Sequence, residues 1–291
     1  MSALCEICPR RCRVDRSDTV GYCGAADKPN IARIMLHKWE EPCISGENGT
    51  GAIFFCGCNL NCVFCQNYSI NHSLRGESVN SDDLAMLMLK FQDEGAHSID
   101  LVTPTPHFAT IIPAIERAKK NGLSVPVIFN TNAYETIDSL KRLEGLIDIY
   151  LPDFKYVSSG IAKKYSLCED YFTYAAPAIK EMYRQVGELS LNENGIARKG
   201  LIIRHLVLPG AVPESKRVLD YIAENFPLST YISLMGQYVP FHHAGEFPPL
   251  DRKLLPKEYE RAVDHCISLG FTNVFIQELS SADGNYTPDF E

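Results

Sequence analysis

The sequence predicts an α/β protein with parallel strands, preceded by a small cysteine-rich segment stapled by metal. Three observations carry that reading. Short apolar runs alternate with helical periods from residue 51 onward. Nine of the eleven cysteines fall within the first 65 residues. The 291-residue chain is 45% apolar and 22% charged, which supplies core material for one large domain and rules out a disordered or fibrous chain.

Residues 1 to about 50 set Cys5, Cys8, Cys12, Cys23 and Cys43 among Arg, Asp and Gly with no sustained helical or strand period, so this segment buries little and needs a staple. Strand candidates follow at 52–55, 99–102, 125–129, 148–151, 201–207, 231–234 and 273–276. After the first, Ser81 caps a helix whose Leu84, Leu87, Met88 and Phe91 make one apolar stripe, and Gly95 ends it. Helices are expected at 107–121, 134–143 and 177–187. Pro213 suits the first turn of another that runs to about Asn225. Tyr259, Ala262, Val263 and Cys266 repeat the stripe before Gly270, which puts Cys266 in the core. Strand and helix in alternation imply either an open doubly wound sheet or a full or partial barrel, with chemistry at the carboxyl ends of the strands.

Lys and Arg total 28 against 36 Asp and Glu, a net charge of −8, so no duplex DNA is expected as a partner. No run approaches the ~18 apolar residues of a membrane span, and the first residues lack the regions of a secretory signal. The expectation is a cytoplasmic protein with no membrane partner. In that reducing compartment, crowded cysteines read as metal ligation or redox chemistry. The hydrolase elbow, the P-loop and the dinucleotide-binding glycine pattern have no match in the sequence.

Directly after the first strand candidate comes Cys56-Gly-Cys58-Asn-Leu-Asn-Cys62-Val-Phe-Cys65, which contains C-x3-C-x2-C. Three thiolates on one loop can hold three irons of a [4Fe–4S] cube and leave the fourth iron open, whereas a structural zinc site wants four closed ligands. The competing readings are a zinc knuckle with Cys56 as fourth ligand, and clustered cysteines that bind nothing. At this loop the sequence resembles the radical SAM superfamily, whose cluster loop C-x3-C-x-aromatic-C follows the first barrel strand; Cys58, Cys62, Phe64 and Cys65 match each position. The resemblance implies a partial or complete parallel (β/α) barrel of the radical SAM type over residues 51–280, with the Cys-rich segment 1–50 before it and a tail at 281–291. It implies that the open iron chelates the amino and carboxylate groups of S-adenosylmethionine (SAM). One electron from the reduced cluster then releases methionine and a 5′-deoxyadenosyl radical that abstracts hydrogen from a substrate, while the protein positions the cofactor and excludes competing reactions.

Later segments resemble one branch of that superfamily, the activating enzymes of glycyl-radical enzymes such as pyruvate formate-lyase. Asp153-Phe-Lys155 matches the branch's D-x-K, which implies that Asp153 and Lys155 contact bound SAM; an acceptor suits ribose hydroxyls and a cation suits the methionine carboxylate. Arg204-His-Leu-Val-Leu-Pro-Gly210 resembles its R-x-hydrophobic-V-x-P-G strand and puts Arg204 near the cofactor. Pro240-Phe241-His242 resembles the late P-F-H segment, whose histidine approaches the adenosine, with His243 as the alternative. Asn130-Thr131-Asn132-Ala133 resembles the D-T-N-G turn, with Thr131 as a cofactor contact. The turn begins with Asn, and without that carboxylate no monovalent-cation site is carried over. Where relatives bind the cofactor's amino group with Gly-Gly-Glu, this chain has Val102-Thr103-Pro104-Thr105-Pro106-His107, so carbonyls and hydroxyls around Thr103 and Thr105 would serve. With His37-Lys-Trp39-Glu40-Glu41-Pro-Cys43 and Glu181-Met-Tyr-Arg184-Gln185-Val-Gly187, these segments look like a subgroup of that branch with a Cys-rich start, and the resemblance covers nearly the whole chain. It implies a glycyl-radical enzyme as protein substrate and a flavodoxin- or ferredoxin-like electron donor.

Cys5-x2-Cys8-x3-Cys12-x10-Cys23 supplies four further thiolates and Cys43 a fifth; the spacing leaves zinc, a second Fe–S cluster and metal-free cysteines open. Arg10, Arg11, Arg13 and Arg16 either balance a thiolate–metal centre or dock an acidic electron donor or protein substrate. Three functions therefore stand: a radical SAM enzyme acting on a glycyl-radical enzyme, the same chemistry on a small metabolite, peptide or RNA, and a zinc-stapled adaptor without catalysis. The intact Cys58, Cys62 and Cys65 and the Asp153–Lys155 pair argue against the adaptor.

Overall fold

The computed structural model describes residues 4–277 and residue 279; the tail at 281–291 lies outside them. In chain order the elements are β1 (Asn30–His37), α1 (Pro42–Ser45), β2 (Thr50–Phe55), β3 (Glu77–Ser78), α2 (Ser81–Asp93), β4 (Ile99–Val102), α3 (Phe108–Lys120), β5 (Val127–Thr131), α4 (Ile137–Lys141), β6 (Ile149–Pro152), α5 (Ser159–Ser166), α6 (Tyr171–Val186), β7 (Ser190–Leu191), β8 (Ala197–Leu206), α7 (Val212–Asn225), β9 (Tyr231–Met235), α8 (Pro256–Ser268) and β10 (Val274–Ile276). Every expected strand is present.

Those seven pair in parallel in the order β2-β4-β5-β6-β8-β9-β10, each crossover carrying at least one helix. The order decides between the two architectures. A doubly wound sheet reverses at a switch point and takes helices on both faces; an order that follows the chain keeps its right-handed crossovers on one face, and the twisted sheet curls with the other face inward. The described sheet ends at β10 on one side and β3 on the other, so the architecture is a partial parallel (β/α) barrel.

β1 lies where the sequence shows no strand period. Its mixed burial carries no clean alternation, and it is held instead by antiparallel pairing with β2, Ile34 opposite Ile53. α2 is capped one residue earlier than expected, by Asn80, whose side chain accepts the N–H groups of Asp82 and Asp83 while Asp83 reaches back. α6 starts at Tyr171 and not at 177, because Tyr171, Ala175, Ala178, Ile179 and Met182 form a buried stripe whose packing outweighs the helix-breaking Pro177.

Two apolar layers sandwich the sheet. Outside, Leu84, Met88 and Phe91 of α2 join Phe108, Ile179, Leu219 and Cys266 over Ile53, Leu101, Phe129 and Ile203, each buried large side chain contributing about 1.5–3 kcal/mol. Cys266 is core, as its helix stripe predicts. Inside, Cys43 and Ile44 of α1 cover Ile128, Ile149, Leu151 and Ile202, forming an apolar plug. Cys43 is therefore a core residue and not a fifth ligand for the amino-terminal group. On the strand positions beyond the plug, polar groups take over: Asp100, Asn130, Arg204 and Ser233. No helix among the described residues is long and apolar enough to cross a membrane.

Candidate active site

β2 is buried at every position and delivers the chain into the cysteine loop. Gly57 takes φ +92°, and a Cβ there would lie 3.0 Å from the Cys23 carbonyl oxygen, so glycine lets the loop press against the amino-terminal segment. The loop then brings Cys58, Cys62 and Cys65 to a cavity at the carboxyl ends of the parallel strands, which Phe64, Thr103, Thr131, Asp153, Lys155 and Arg204 also line.

Two candidates are not brought there. Thr105 is buried and donates its hydroxyl to Glu135, because the chain turns away from the cavity after Thr103, itself held at φ +58°. His242 is exposed at φ +53° and stacks on Tyr68 with centroids 5.2 Å apart; Phe241 lines the cavity in its place.

The three cavity sulfurs have fixed polar neighbours. Asn132 Nδ2 donates to Cys58 at 3.3 Å, Asn71 Nδ2 donates to Cys65 at 3.0 Å, and the Ser166 hydroxyl lies 3.0 Å from Cys62 Sγ. The N–H groups of Leu60 and Asn67 add bonds to Cys58 and Cys65. Burial pushes all three thiols up, Cys58 to about 12, so each keeps its proton at neutral pH until a metal displaces it.

Among the described residues no three His, Cys, Asp or Glu side chains are placed to hold a single metal ion. Cys56 does not complete a knuckle: it packs with Ile70 and Val102, and its thiol donates to the Arg75 carbonyl at 2.9 Å. Three soft sulfurs that line a cavity, two of them with N–H donors aimed at them and the third beside a hydroxyl, fit an iron–sulfur cluster with one open iron better than they fit zinc.

Beside the loop, Arg204 organises the charges. Its guanidinium donates to Asp153 Oδ1 at 2.8 Å, Glu40 Oε2 at 3.0 Å and Asn130 Oδ1 at 2.6 Å, and Lys155 Nζ takes the other Asp153 oxygen at 2.8 Å. Burial raises the pKa of Asp153, but Arg204 and Lys155 outweigh it and hold the carboxyl below its ordinary range. Burial likewise works against the Lys155 ammonium, and Asp153 overcomes it. The Tyr171 hydroxyl braces this segment, lying 2.7 Å from the Asp153 carbonyl and accepting the Lys155 N–H at 3.0 Å.

Glu40, Glu41 and Asp100 lie close to Arg204, and burial holds all three carboxyls above their ordinary range. Asn130 explains its own departure from the resembled turn. Its amide oxygen accepts from Arg204 while its NH2 donates to Asp100 Oδ2 at 3.2 Å. An aspartate there would have no proton to give and would set a like charge against Asp100. Glu40 entered the sequence reading without a role; its partner lies 164 residues away, and no local pattern signals the pair.

Glu135 sits under the turn, where Thr105 and Thr131 both donate to Oε1, Oε2 has no partner among the described residues, and burial raises the pKa from 4.5 to about 7. The folded state therefore keeps a proton that the unfolded chain loses, and stability falls as pH rises from about 4.5 to about 7. Glu135→Gln is expected to remove up to about 3 kcal/mol of that dependence. Urea unfolding of both proteins across this window checks it, and identical pH slopes would rule the titration out.

Residues 52–167 match the family model of the Radical SAM superfamily. The chain is 29% identical over 270 residues to an uncharacterised protein of Methanocaldococcus jannaschii, covering 89% of this chain and 73% of that one. In fold it is similar to SuiB of Streptococcus suis bound to the precursor peptide SuiA (TM-score 0.50, 15% identity, 77% of this chain and 48% of that one). It is also similar to anSMEcpe with bound AdoMet and Kp18Cys peptide (0.51, 14%, 80% and 62%) and to HydG, a maturase of the [FeFe]-hydrogenase (0.50, 15%, 75% and 49%). At these identities the likeness is one of fold, and the chain spans about half the length of SuiB and HydG. The stretch that the family model matches, residues 52–167, holds the cysteine loop, Thr103, Thr131 and the Asp153–Lys155 pair.

Proposed function

We propose that this protein is a radical SAM enzyme whose Cys58, Cys62 and Cys65 hold a [4Fe–4S] cluster, and that it activates a glycyl-radical enzyme by removing hydrogen from a glycine Cα. The observation that carries the reading is the convergence of those three thiols with Asp153, Lys155 and Arg204 on one cavity at the strand ends. When bound, the cluster supplies the electron that splits SAM into methionine and a 5′-deoxyadenosyl radical.

The chain's own residues bind and shield. Lys155 and Arg204 present cations to a carboxylate, and Asp153, kept ionised between them, presents an acceptor to hydroxyls. Thr103 and Thr131 form part of the wall. Phe64, packed on Tyr238 with centroids 6.0 Å apart, adds an apolar side that keeps water from a reactive radical. The activating-enzyme assignment is supported by the Asp153-x-Lys155 pair and the Arg204 strand meeting at neighbouring strand ends, and it calls for a flavodoxin- or ferredoxin-like donor.

The test is anaerobic reconstitution with iron and sulfide, addition of SAM and a strong one-electron reductant, and measurement of 5′-deoxyadenosine. A glycyl-radical signal should then appear in a partner enzyme. SAM cleavage that never yields this signal would move the substrate to a small metabolite, peptide or RNA. Zinc without sulfide and no SAM binding would leave only the adaptor.

A further inference from the structure

We propose that Cys5, Cys8, Cys12 and Cys23 hold a second iron–sulfur cluster, ligated by all four thiolates, directly beside the loop that carries Cys58. The four residues, spread over the first part of the chain, line one small cavity. The backbone is bent to bring them there: Arg11 and Arg13 take φ +40° and +53°, held by Arg11 N–H to the Cys8 carbonyl at 3.1 Å and Arg13 N–H to the Cys5 carbonyl at 3.0 Å. Left-handed backbone at such residues is unfavourable and persists where the surroundings impose it.

The sulfurs carry the same kind of neighbour as those of the cavity loop. The Arg10 N–H bonds to the Cys8 sulfur and the Ala25 N–H to the Cys23 sulfur, as Leu60 and Asn67 do for Cys58 and Cys65. Amide donors of this kind stabilise thiolate over thiol.

The placement of the side chains favours a cluster over zinc. The four cysteines are free, with no disulfide between any two of them, and they are not placed to hold a single ion. They share one cavity with Arg10, Arg16 and Tyr22. An all-thiolate set that lines a common cavity without closing on one ion suits the irons of a cluster.

The surroundings fit a negatively charged centre. Arg10 lies 4.1 Å over the Tyr22 ring and donates to the Asn59 carbonyl at 2.9 Å, and Arg16 donates to the carbonyls of Ala25, Ala26 and Pro106. Both side chains line the cavity. The segment is joined to the first site ligand to ligand, since Cys58 N–H donates to the Cys23 carbonyl at 3.1 Å.

The decisive protein is the full chain with Cys58→Ala, Cys62→Ala and Cys65→Ala combined, reconstituted anaerobically. It is expected to keep about four iron and about four acid-labile sulfide, half the wild-type content. Its reduced form should show a cluster signal that SAM does not perturb. Zinc without sulfide in this variant, or no metal at all, would overturn the proposal. Because the variant lacks the cavity ligands, its iron reports on the quartet whether or not the chain cleaves SAM. The complementary Cys8→Ala/Cys23→Ala protein should lose about half of the wild-type iron; full retention would equally refute the site.

Discussion

Replacing Cys58 by alanine is expected to lower 5′-deoxyadenosine formation by more than about 100-fold, with matching loss of iron from the cavity site. The magnitude follows from what the outer partners of metal ligands are worth: removing one costs about 10–100-fold, so removing a ligand itself costs more. Asn132→Ala, which takes a donor from the Cys58 sulfur and another from Asn59 Oδ1, should fall in that lower range. Cys56→Ala should leave cleavage in place, because Cys56 spends its thiol on the Arg75 carbonyl. The three variants separate a three-thiolate cluster from a four-cysteine knuckle. Equal losses in Cys56→Ala and Cys58→Ala would sink the three-ligand assignment.

The largest effect on stability is expected at Arg204. Arg204→Met leaves Asp153 and Glu40 without the guanidinium that both contact and removes the donor that fixes Asn130. Breaking a buried pair by deleting one partner costs about 3–5 kcal/mol, most of it the stranded charge. The pH dependence has a definite sign. The depressed pKa of Asp153 stabilises the wild-type fold above its unfolded value, and this contribution is lost as pH falls through the folded one. In the variant the carboxyls take up protons more readily, so the deficit against wild type should shrink as pH is lowered. Urea unfolding at neutral and mildly acidic pH measures both. A neutral-pH loss below about 1 kcal/mol would mean that Arg204 is not the counter-charge of this site.

The parallel strands are legible in the sequence because sheets covered on both sides read as short apolar runs. The cavity cysteines are legible because three ligands fall on one loop, and the helix stripes because their period is local. The residues that stay hidden depend on contacts made over distance. β1 is held by its pairing with β2 and not by its own pattern. Glu40 acquires its role from Arg204, and Asn130 from Arg204 and Asp100 together. His242 matches a resembled segment and Thr105 stands where the chain departs from one, yet at both places the turns, around His242 and Thr103, decide which neighbouring side chain faces the cavity.

The sequence by itself determined the parallel α/β class, the cysteine loop and the chemistry that its spacing admits, because each of these is written in residues close along the chain. Only the tertiary structure decided the partial barrel, the buried charge network and the joining of the amino-terminal cysteines to the cavity loop. Strand order and the pairing of Cys23 with Cys58 or Glu40 with Arg204 are set by how the crossovers wrap, and that is a property of the whole packed chain.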